Sequence, residues 1–457
     1  MLMSLITMSF RLAHDVVPTS KGVRLMHVLI RVDASNASLI EAPMAIAIVV
    51  DKSESMMLPM LTQEQIEELR RHGFLRDAER DGVRVVEFMG FSIPSVLRDA
   101  PRPFDFVKRA LREIVEHLND YDMFSLIAFA TDARTVLPIC SGETREKIFN
   151  SIDALEKLRL GDGTELSKGL ELAYEELLKT TSEQVLRRTI VITDGYCSDE
   201  SRCINLGRRM ADDGIRISTM GVGVNFNEDL MTLLADTSSG EAFFVPDPSQ
   251  IPQALDLEMR QSRLVAMCQS VLKLHFPRGV EIRKAYMVRP TVAPIERIYS
   301  SSAQLVELHV GELKPTVYEF LIELLLPPRG DGIYRIAHVS LHGMSAEGRQ
   351  TQVASVDVTL RYLSGASLGS PNEEVMQAAS IVSAAELQMK ALQDLKANDV
   401  VSATLKLRAA KTRLLNTGAS TAHIDEILSE VEQSGQASPH LTKRLRYETR
   451  RLTSSEP

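Results

Sequence analysis

The stretch Met44-Ala-Ile-Ala-Ile-Val-Val-Asp51-Lys-Ser-Glu-Ser55 decides how this chain is to be read. Seven apolar residues in a row, with no polar alternation, describe a strand buried on both faces, as in a parallel sheet covered by helices on both sides. The run stops on an aspartate and two hydroxyl residues, oxygen donors placed where such a strand would reach the edge of its sheet. Ligands of open α/β sheets bind at the carboxyl ends of the strands.

Outward from this stretch the pattern repeats. Phe124–Ala130, Thr189–Thr193 and Ile215–Val222 read as further buried strands, and Phe104–Leu118, Leu166–Leu178, Cys203–Asp212 and Glu228–Asp236 as amphipathic helices between them. Two more oxygen-rich segments punctuate the pattern: Gly161-Asp-Gly-Thr164 ahead of a helix, and Asp194-Gly195 at the end of the strand Thr189–Thr193. All three segments can reach the same sheet edge. Three hydroxyls (Ser53, Ser55, Thr164) and two carboxylates (Asp51, Asp194) suit a hard divalent cation, because Mg²⁺ takes oxygen ligands and keeps several waters. No Gly-Lys-Ser/Thr follows Gly161-Asp-Gly163, so that segment is not a phosphate-binding loop.

Taken together, Asp-x-Ser-x-Ser after the first strand, Gly-x-Thr before a helix, and Thr-Asp-Gly after a middle strand resemble the three signature segments of von Willebrand factor A (VWA) domains. The resemblance covers roughly Ala45–Gln261, and Gly221-Val-Gly-Val-Asn-Phe-Asn-Glu-Asp-Leu230 looks like the same family's penultimate strand and turn. Lys443-Arg-Leu-Arg-Tyr447 resembles a motif near the end of bacterial proteins of this family. The resemblance implies a Rossmann-like α/β domain with a metal-ion-dependent adhesion site. It implies Mg²⁺, with Mn²⁺ or Ca²⁺ as alternatives, at Asp51, Ser53, Ser55, Thr164 and Asp194. It further implies a non-catalytic protein-binding role, an acidic side chain of another protein as the ligand, and an adaptor function beside a separate AAA+ ATPase. Two departures stand out. Glu54 occupies the place where the family has glycine, and an insertion spans Met56–Pro103, with a charged helical pattern at Gln63–Arg71 and an apolar patch at Val86–Val96. That insertion is expected beside the metal site, as a lid, a pseudo-ligand, a partner-docking surface or a packed surface excursion.

Beyond the α/β text, Val271–Pro277, Gly279–Val288, Gln304–Val310, Thr316–Leu325, Tyr334–Leu341 and Val356–Tyr362 read as strands separated by Gly, Pro and Ser breaks. Arg11–Ala34 has the same character. The expected architecture is therefore a mainly parallel VWA domain (residues 44–262) inserted in a β-sandwich built from residues 1–43 and 263–365. A helical region (366–457) follows, in which Glu373–Lys396, Asp399–Asn416 and Ile424–Val431 carry the helical period. The basic tail Leu441–Pro457 is expected to be solvated and poorly ordered.

Bulk properties narrow the function. The 457 residues, 44% apolar and 25% charged, are those of a multi-domain globular protein. A net charge of −9 gives no footprint for nucleic acid. Four cysteines imply no disulfide framework. Met1–Phe10 lacks the basic region and cleavage pattern of a secretory signal, and no apolar run is long enough to span a bilayer. A cytoplasmic protein without a membrane or nucleic-acid partner is expected. The alternatives are a Mg²⁺-dependent hydrolase using Lys52, Glu54 or Lys168, and a structural protein that oligomerises through its C-terminal helices.

Overall fold

The computed structural model describes residues 6–19, 22–37, 43–80, 83–88, 100–180, 185–263, 265–295, 298–302, 304–344 and 350–453. Three bodies share the chain. The α/β body is a six-stranded sheet in the order Ala242–Val245, Arg216–Val222, Leu186–Thr193, Met44–Asp51, Met123–Phe129, Ala133–Ser141. Every neighbouring pair is parallel except the last, which is antiparallel. All eight residues of Met44–Asp51 are buried. Alternate side chains feed two cores: Met44, Ile46, Ile48 and Val50 pack with Phe104 and Leu111 of the helix Pro103–His117, whereas Ala45, Ala47 and Val49 pack with Leu166 and Leu170 of the helix Leu166–Leu178. This two-sided burial is why the strand reads as an unbroken apolar run.

The β-sandwich gathers strands from both flanks. Arg24–Asp33 pairs antiparallel with Val317–Leu326 over ten residue pairs, Arg24 opposite Leu326 and Asp33 opposite Val317. Thr7–Leu12 lies outside it, and Glu281–Arg289 with Ala293–Pro294 completes a five-stranded sheet. The second sheet has six strands, ordered Ile298–Ser302, Leu305–Leu313, Met267–His275, Gly332–Met344, Gln350–Leu363 and Val16–Pro18. The α/β body thus lies, in sequence, between two strands of one sheet.

Four helices follow: Glu373–Lys396, Val400–Leu414, Ala422–Ser434 and Pro439–Arg450. Val375, Ala378, Ile381 and Val382 join Val28, Ile30, Phe320 and Ile322 in one continuous core, so this helical layer covers the five-stranded sheet.

The expectation of a solvated tail is wrong for the described part of it. Pro439–Arg450 is a helix capped by Ser438, whose hydroxyl accepts from the Leu441 amide, and Lys443, Leu445, Tyr447, Thr449 and Arg450 are buried. Three of its basic residues find acids more than 200 positions away. Lys443 Nζ lies 2.6 Å from Glu228 Oε2, Arg446 2.5 Å from Asp229, and Arg450 2.5 Å from Asp236. Basic composition reads as solvated only when those partners are out of sight.

The insertion holds a helix, Gln63–Arg71, with a capping box between Thr62 and Gln65, and a hairpin of Leu75–Arg80 with Val83–Phe88. Its neck is closed where the Met60 amide donates to the Pro101 carbonyl at 2.8 Å. Most of the apolar patch, Met89–Val96, lies outside the described residues.

Candidate metal centre

Two adjacent strand ends supply the carboxylates. Met44–Asp51 and Leu186–Thr193 are parallel neighbours in register, Val50 opposite Ile192, so Asp51 and the Thr193-Asp194 step arrive together at the carboxyl edge. Asp51 is fully buried. Its Oδ1 accepts from the Ser53 amide at 2.8 Å and its Oδ2 from the Thr193 hydroxyl at 2.5 Å. The first of these bonds folds the loop back on itself, so that Ser53 Oγ stands 3.1 Å from Ser55 Oγ, and Ser55 Oγ donates to Asp194 Oδ1 at 2.6 Å. Asp51, Ser53, Ser55 and Asp194 form one hydroxyl–carboxylate chain, buried at Asp51 and exposed at Ser55.

Thr164 reaches this chain from a third direction. Its loop is zipped onto the end of Met123–Phe129: Asp132 donates to Leu160, Glu165 donates to Ala130, and the Gly163 amide donates to the Thr131 hydroxyl at 2.8 Å. Gly161 has φ +91°, and a Cβ there would sit 2.7 Å from the Thr131 side chain. Gly195 is equally constrained, because a Cβ would come within 2.6 Å of Thr164 Oγ1. That close approach brings the Thr164 hydroxyl against the Asp194-Gly195 turn.

The structure therefore brings all five sequence-predicted residues to one sheet edge. At that edge Asp51 is enclosed rather than open to solvent, its carboxylate accepting two hydrogen bonds. Sequence reading passed over Thr193 and Thr131, whose hydroxyls hold Asp51 and the Gly163 amide. Thr193 was legible only as part of the Thr-Asp-Gly segment, and Thr131 carried no signal. Glu54, at the family's glycine position, is exposed.

The electrostatics suit a cation. Burial raises the Asp51 carboxyl above its usual range against the pull of its hydrogen bonds. Burial, followed by the neighbouring Asp51 charge, pushes Asp194 up to about 7, with the Ser55 hydroxyl opposing. Among the described residues neither carboxylate has an ion pair. The nearest lysine in sequence, Lys52, turns away: its amine sits 4.3 Å from the Phe104 ring centroid and 2.9 Å from Met57 Sδ, and burial lowers it to about 8. Two carboxylates and three hydroxyls, with no protein cation among them in the described residues, have the chemistry that suits a hard divalent ion. Among the described residues no three His, Cys, Asp or Glu side chains converge as ligands, at this edge or elsewhere, so the donor set here rests on two carboxylates and on hydroxyls. Cys197 and Cys203 are buried free thiols, raised first by burial and then by Asp199.

Residues 98–257 match the von Willebrand factor type A domain family. The chain carries a VWA domain. The matched span begins at residue 98, within the last residues of the insertion, yet the strand ending in Asp51 is in the middle of the same sheet. Residues 373–455 match a second family, the Sll0103-like C-terminal alpha-helical domain. The chain is similar to the uncharacterised protein YfbK of Escherichia coli, at 30% identity over 172 residues, which is 36% of this chain and 29% of that one. It is also similar to the uncharacterised protein sll0103 of Synechocystis, at 24% identity over 358 residues, 72% of this chain and 81% of that one. The solved structure of a von Willebrand factor type A protein from Catenulispora acidiphila has the same fold, with TM-score 0.74, 15% identity and 98% of each chain covered. The fold extends, at TM-score 0.58 and 15% identity, to the ArnB paralog VWA2 of Sulfolobus acidocaldarius, covering 98% of this chain and 99% of that one. The likeness in fold thus extends over the α/β body, the sandwich and the C-terminal helices, not over an isolated domain alone.

Proposed function

We propose that this protein is a non-catalytic binding module that holds Mg²⁺, or Mn²⁺ or Ca²⁺, through Asp51, Ser53, Ser55, Thr164 and Asp194. In this reading it engages an acidic side chain of another protein. The supporting observation is the hydroxyl–carboxylate chain from Asp51 to Asp194, which opens to solvent at Ser55 and has no protein cation among the described residues. A metal bound there supplies an electrophilic position for a partner's carboxylate; the chain supplies the orientation and the opening.

The residues that a hydrolase would need are committed elsewhere. Lys52 lies over Phe104. Lys168 donates to the Thr131 carbonyl at 2.6 Å and pairs with Glu165 at 3.1 Å. Glu54 faces solvent. Metal-assisted hydrolysis is commonly supported by a base or a cationic clamp beside the metal, although the metal can itself activate a bound water, and these three side chains are placed as neither, which favours the binding module. An adaptor role beside a separate AAA+ ATPase, in the cytoplasm, completes the reading. Among the described residues no helix is long and apolar enough to cross a membrane.

The test is affinity capture on the immobilised full chain in Mg²⁺ and again in EDTA, with Asp51→Asn as control. Partners retained only by wild type in Mg²⁺ support the reading. Partners that ignore both EDTA and the substitution, or a Mg²⁺-dependent phosphatase activity abolished by Asp51→Asn, would overturn it.

A further inference from the structure

Far from the metal edge, all three bodies meet around a cavity of about 340 Å³. The α/β body contributes Arg216 and the turn Asp236–Glu241, the sandwich contributes Thr291, Glu312, Lys314 and Tyr318, and the terminal helix contributes Arg450. A volume of this size falls at the lower end of small-molecule sites, roughly 300–1,000 Å³.

Arg216 is 3% exposed, and its Nε and Nη2 have no hydrogen-bond partner. Three carboxylates surround it, Glu241 at 3.7 Å, Glu312 at 3.8 Å and Glu258 at 4.0 Å, all beyond hydrogen-bond reach. They are engaged by others. Arg188 takes both oxygens of Glu312, at 2.5 and 2.6 Å. The Ser218 and Ser262 hydroxyls both donate to Glu258 Oε1, at 2.6 and 2.9 Å, while its Oε2 is buried without a hydrogen-bond partner and Glu258 lies outside the cavity lining. Glu241 faces Lys314 at 3.5 Å. Arg450 is 9% exposed; one arm holds Asp236, while its Nε is unpartnered.

A buried guanidinium left without hydrogen bonds costs free energy on the order of 1–3 kcal/mol or more, so such donors are normally satisfied by something. Here the unspent groups of Arg216 and Arg450 are donors, and the lining adds the Thr237 and Thr291 hydroxyls. Lys314 is held below its ordinary range by burial and then by the Arg216 charge. The side chains of Lys314 and Glu241 are 20% and 26% exposed, which gives the cavity a way to solvent.

We infer that this junction is a binding site for a small phosphate-bearing anion, held by Arg216, Arg450 and Lys314. Several acceptor oxygens on one compact group match donors that converge from three directions. Such a ligand bridges the α/β body, the sandwich and the terminal helix, and so stiffens the joint between them.

The experiment uses the full chain. Thermal unfolding is followed with increasing inorganic phosphate, pyrophosphate or glycerol 3-phosphate, each against sodium chloride at matched ionic strength, and binding is measured by calorimetry. A melting temperature that rises and saturates with any of these ligands, and an affinity at least tenfold weaker in Arg216→Met, support the site. The ligand that saturates at the lowest concentration tells a free anion from a phosphomonoester. Should Arg216→Met fail to fold, Thr291→Glu places a fixed carboxylate at the cavity wall and is expected to abolish the response. No saturable response in wild type, or an equal response in wild type and Thr291→Glu, overturns the proposal and leaves water as the occupant.

Discussion

At the scale of single residues, Asp51 combines two roles that the sequence presents as one. Its carboxylate accepts the Ser53 amide and the Thr193 hydroxyl, so it shapes the loop before any ion arrives. Asp51→Ala leaves both donors buried and unpaired and is expected to cost roughly 1–3 kcal/mol even in EDTA. Asp51→Asn keeps one carbonyl oxygen for the Ser53 amide while removing the charge. It should melt close to wild type in EDTA and lose the metal response. A ligand that binds only the native state raises stability by about 2.7 kcal/mol at one hundred times its dissociation constant, so Mg²⁺ titration of the melting temperature reads the site directly. A rise in wild type, none in Asp51→Asn and a reduced one in Ser55→Ala are expected; equal responses in all three would dismiss these residues as ligands. The five oxygens were legible because strand ends and hydroxyl spacing are sequence patterns. The Thr193 contact was not, because a hydrogen bond between neighbouring strands leaves no spacing to read.

Elements divide in the same way. Met44–Asp51 announces itself as an apolar run because both of its faces are buried, whereas only the Thr189–Thr193 part of Leu186–Thr193 was legible, because Arg187 and Arg188 interrupt its start. The edge strands went unread: Ala133–Ser141 is half-exposed and carries Pro138, and Ala242–Val245 has only four residues. The terminal helix Pro439–Arg450 was hidden by its own charge. Its Lys443 is expected to carry much of the docking. Burial works to raise Glu228, but hydrogen bonds from Lys443 and Lys396 hold it at about 2. Removing one partner of a buried pair costs roughly 3–5 kcal/mol, so Lys443→Met should free the helix, seen as new protease cleavage within residues 439–453; because Lys396 still reaches Glu228, the cost falls at the lower end. Adding Glu228→Gln should recover part of the loss, and additive effects in the double variant would reject the coupling. Within the helical layer, His423 donates through Nε2 to Gln388 at 2.9 Å. Burial, then Arg444, depresses it to about 4, with Asp425 opposing. Its folded value lies below the unfolded one near 6.5, so the unfolded chain binds the extra proton. Stability is complete above pH 6.5 and declines as pH falls toward 4, by on the order of 2 kcal/mol at pH 5. The melting-temperature gap between wild type and His423→Gln should therefore narrow from pH 7 to pH 5; a constant gap would mean that His423 does not titrate in this window.

For the whole molecule, the question is which parts are structural and which are appended. The helices cannot be removed cleanly. Val375, Ile381 and Val382 belong to the same core as the sheet strands Arg24–Asp33 and Val317–Leu326, so cutting after residue 365 would strip apolar cover from the five-stranded sheet. The excursion between Ser55 and Pro103 is different in kind. Its two ends are tied by the Met60 amide and the Pro101 carbonyl at 2.8 Å. The buried anchors at its base, Met56 on one side and Phe104 on the other, both belong to the α/β core and lie outside the neck. A short bridge can therefore close the neck without moving either anchor, and the loop-closure cost of an excursion grows only slowly with its length. Replacing Leu61–Asp99 by four Gly/Ser residues should leave the melting temperature within a few degrees and the Mg²⁺ response intact, because Asp51, Ser53, Ser55, Thr164 and Asp194 are all held by bonds outside the replaced span. Against that unchanged background, partner affinity isolates what the excursion does. Tighter Mg²⁺-dependent binding marks it as a cover over the site, and weaker binding marks it as part of the docking surface. A large drop in melting temperature, or a lost Mg²⁺ response, would show instead that the excursion is integral to the α/β body and that the neck is not its boundary.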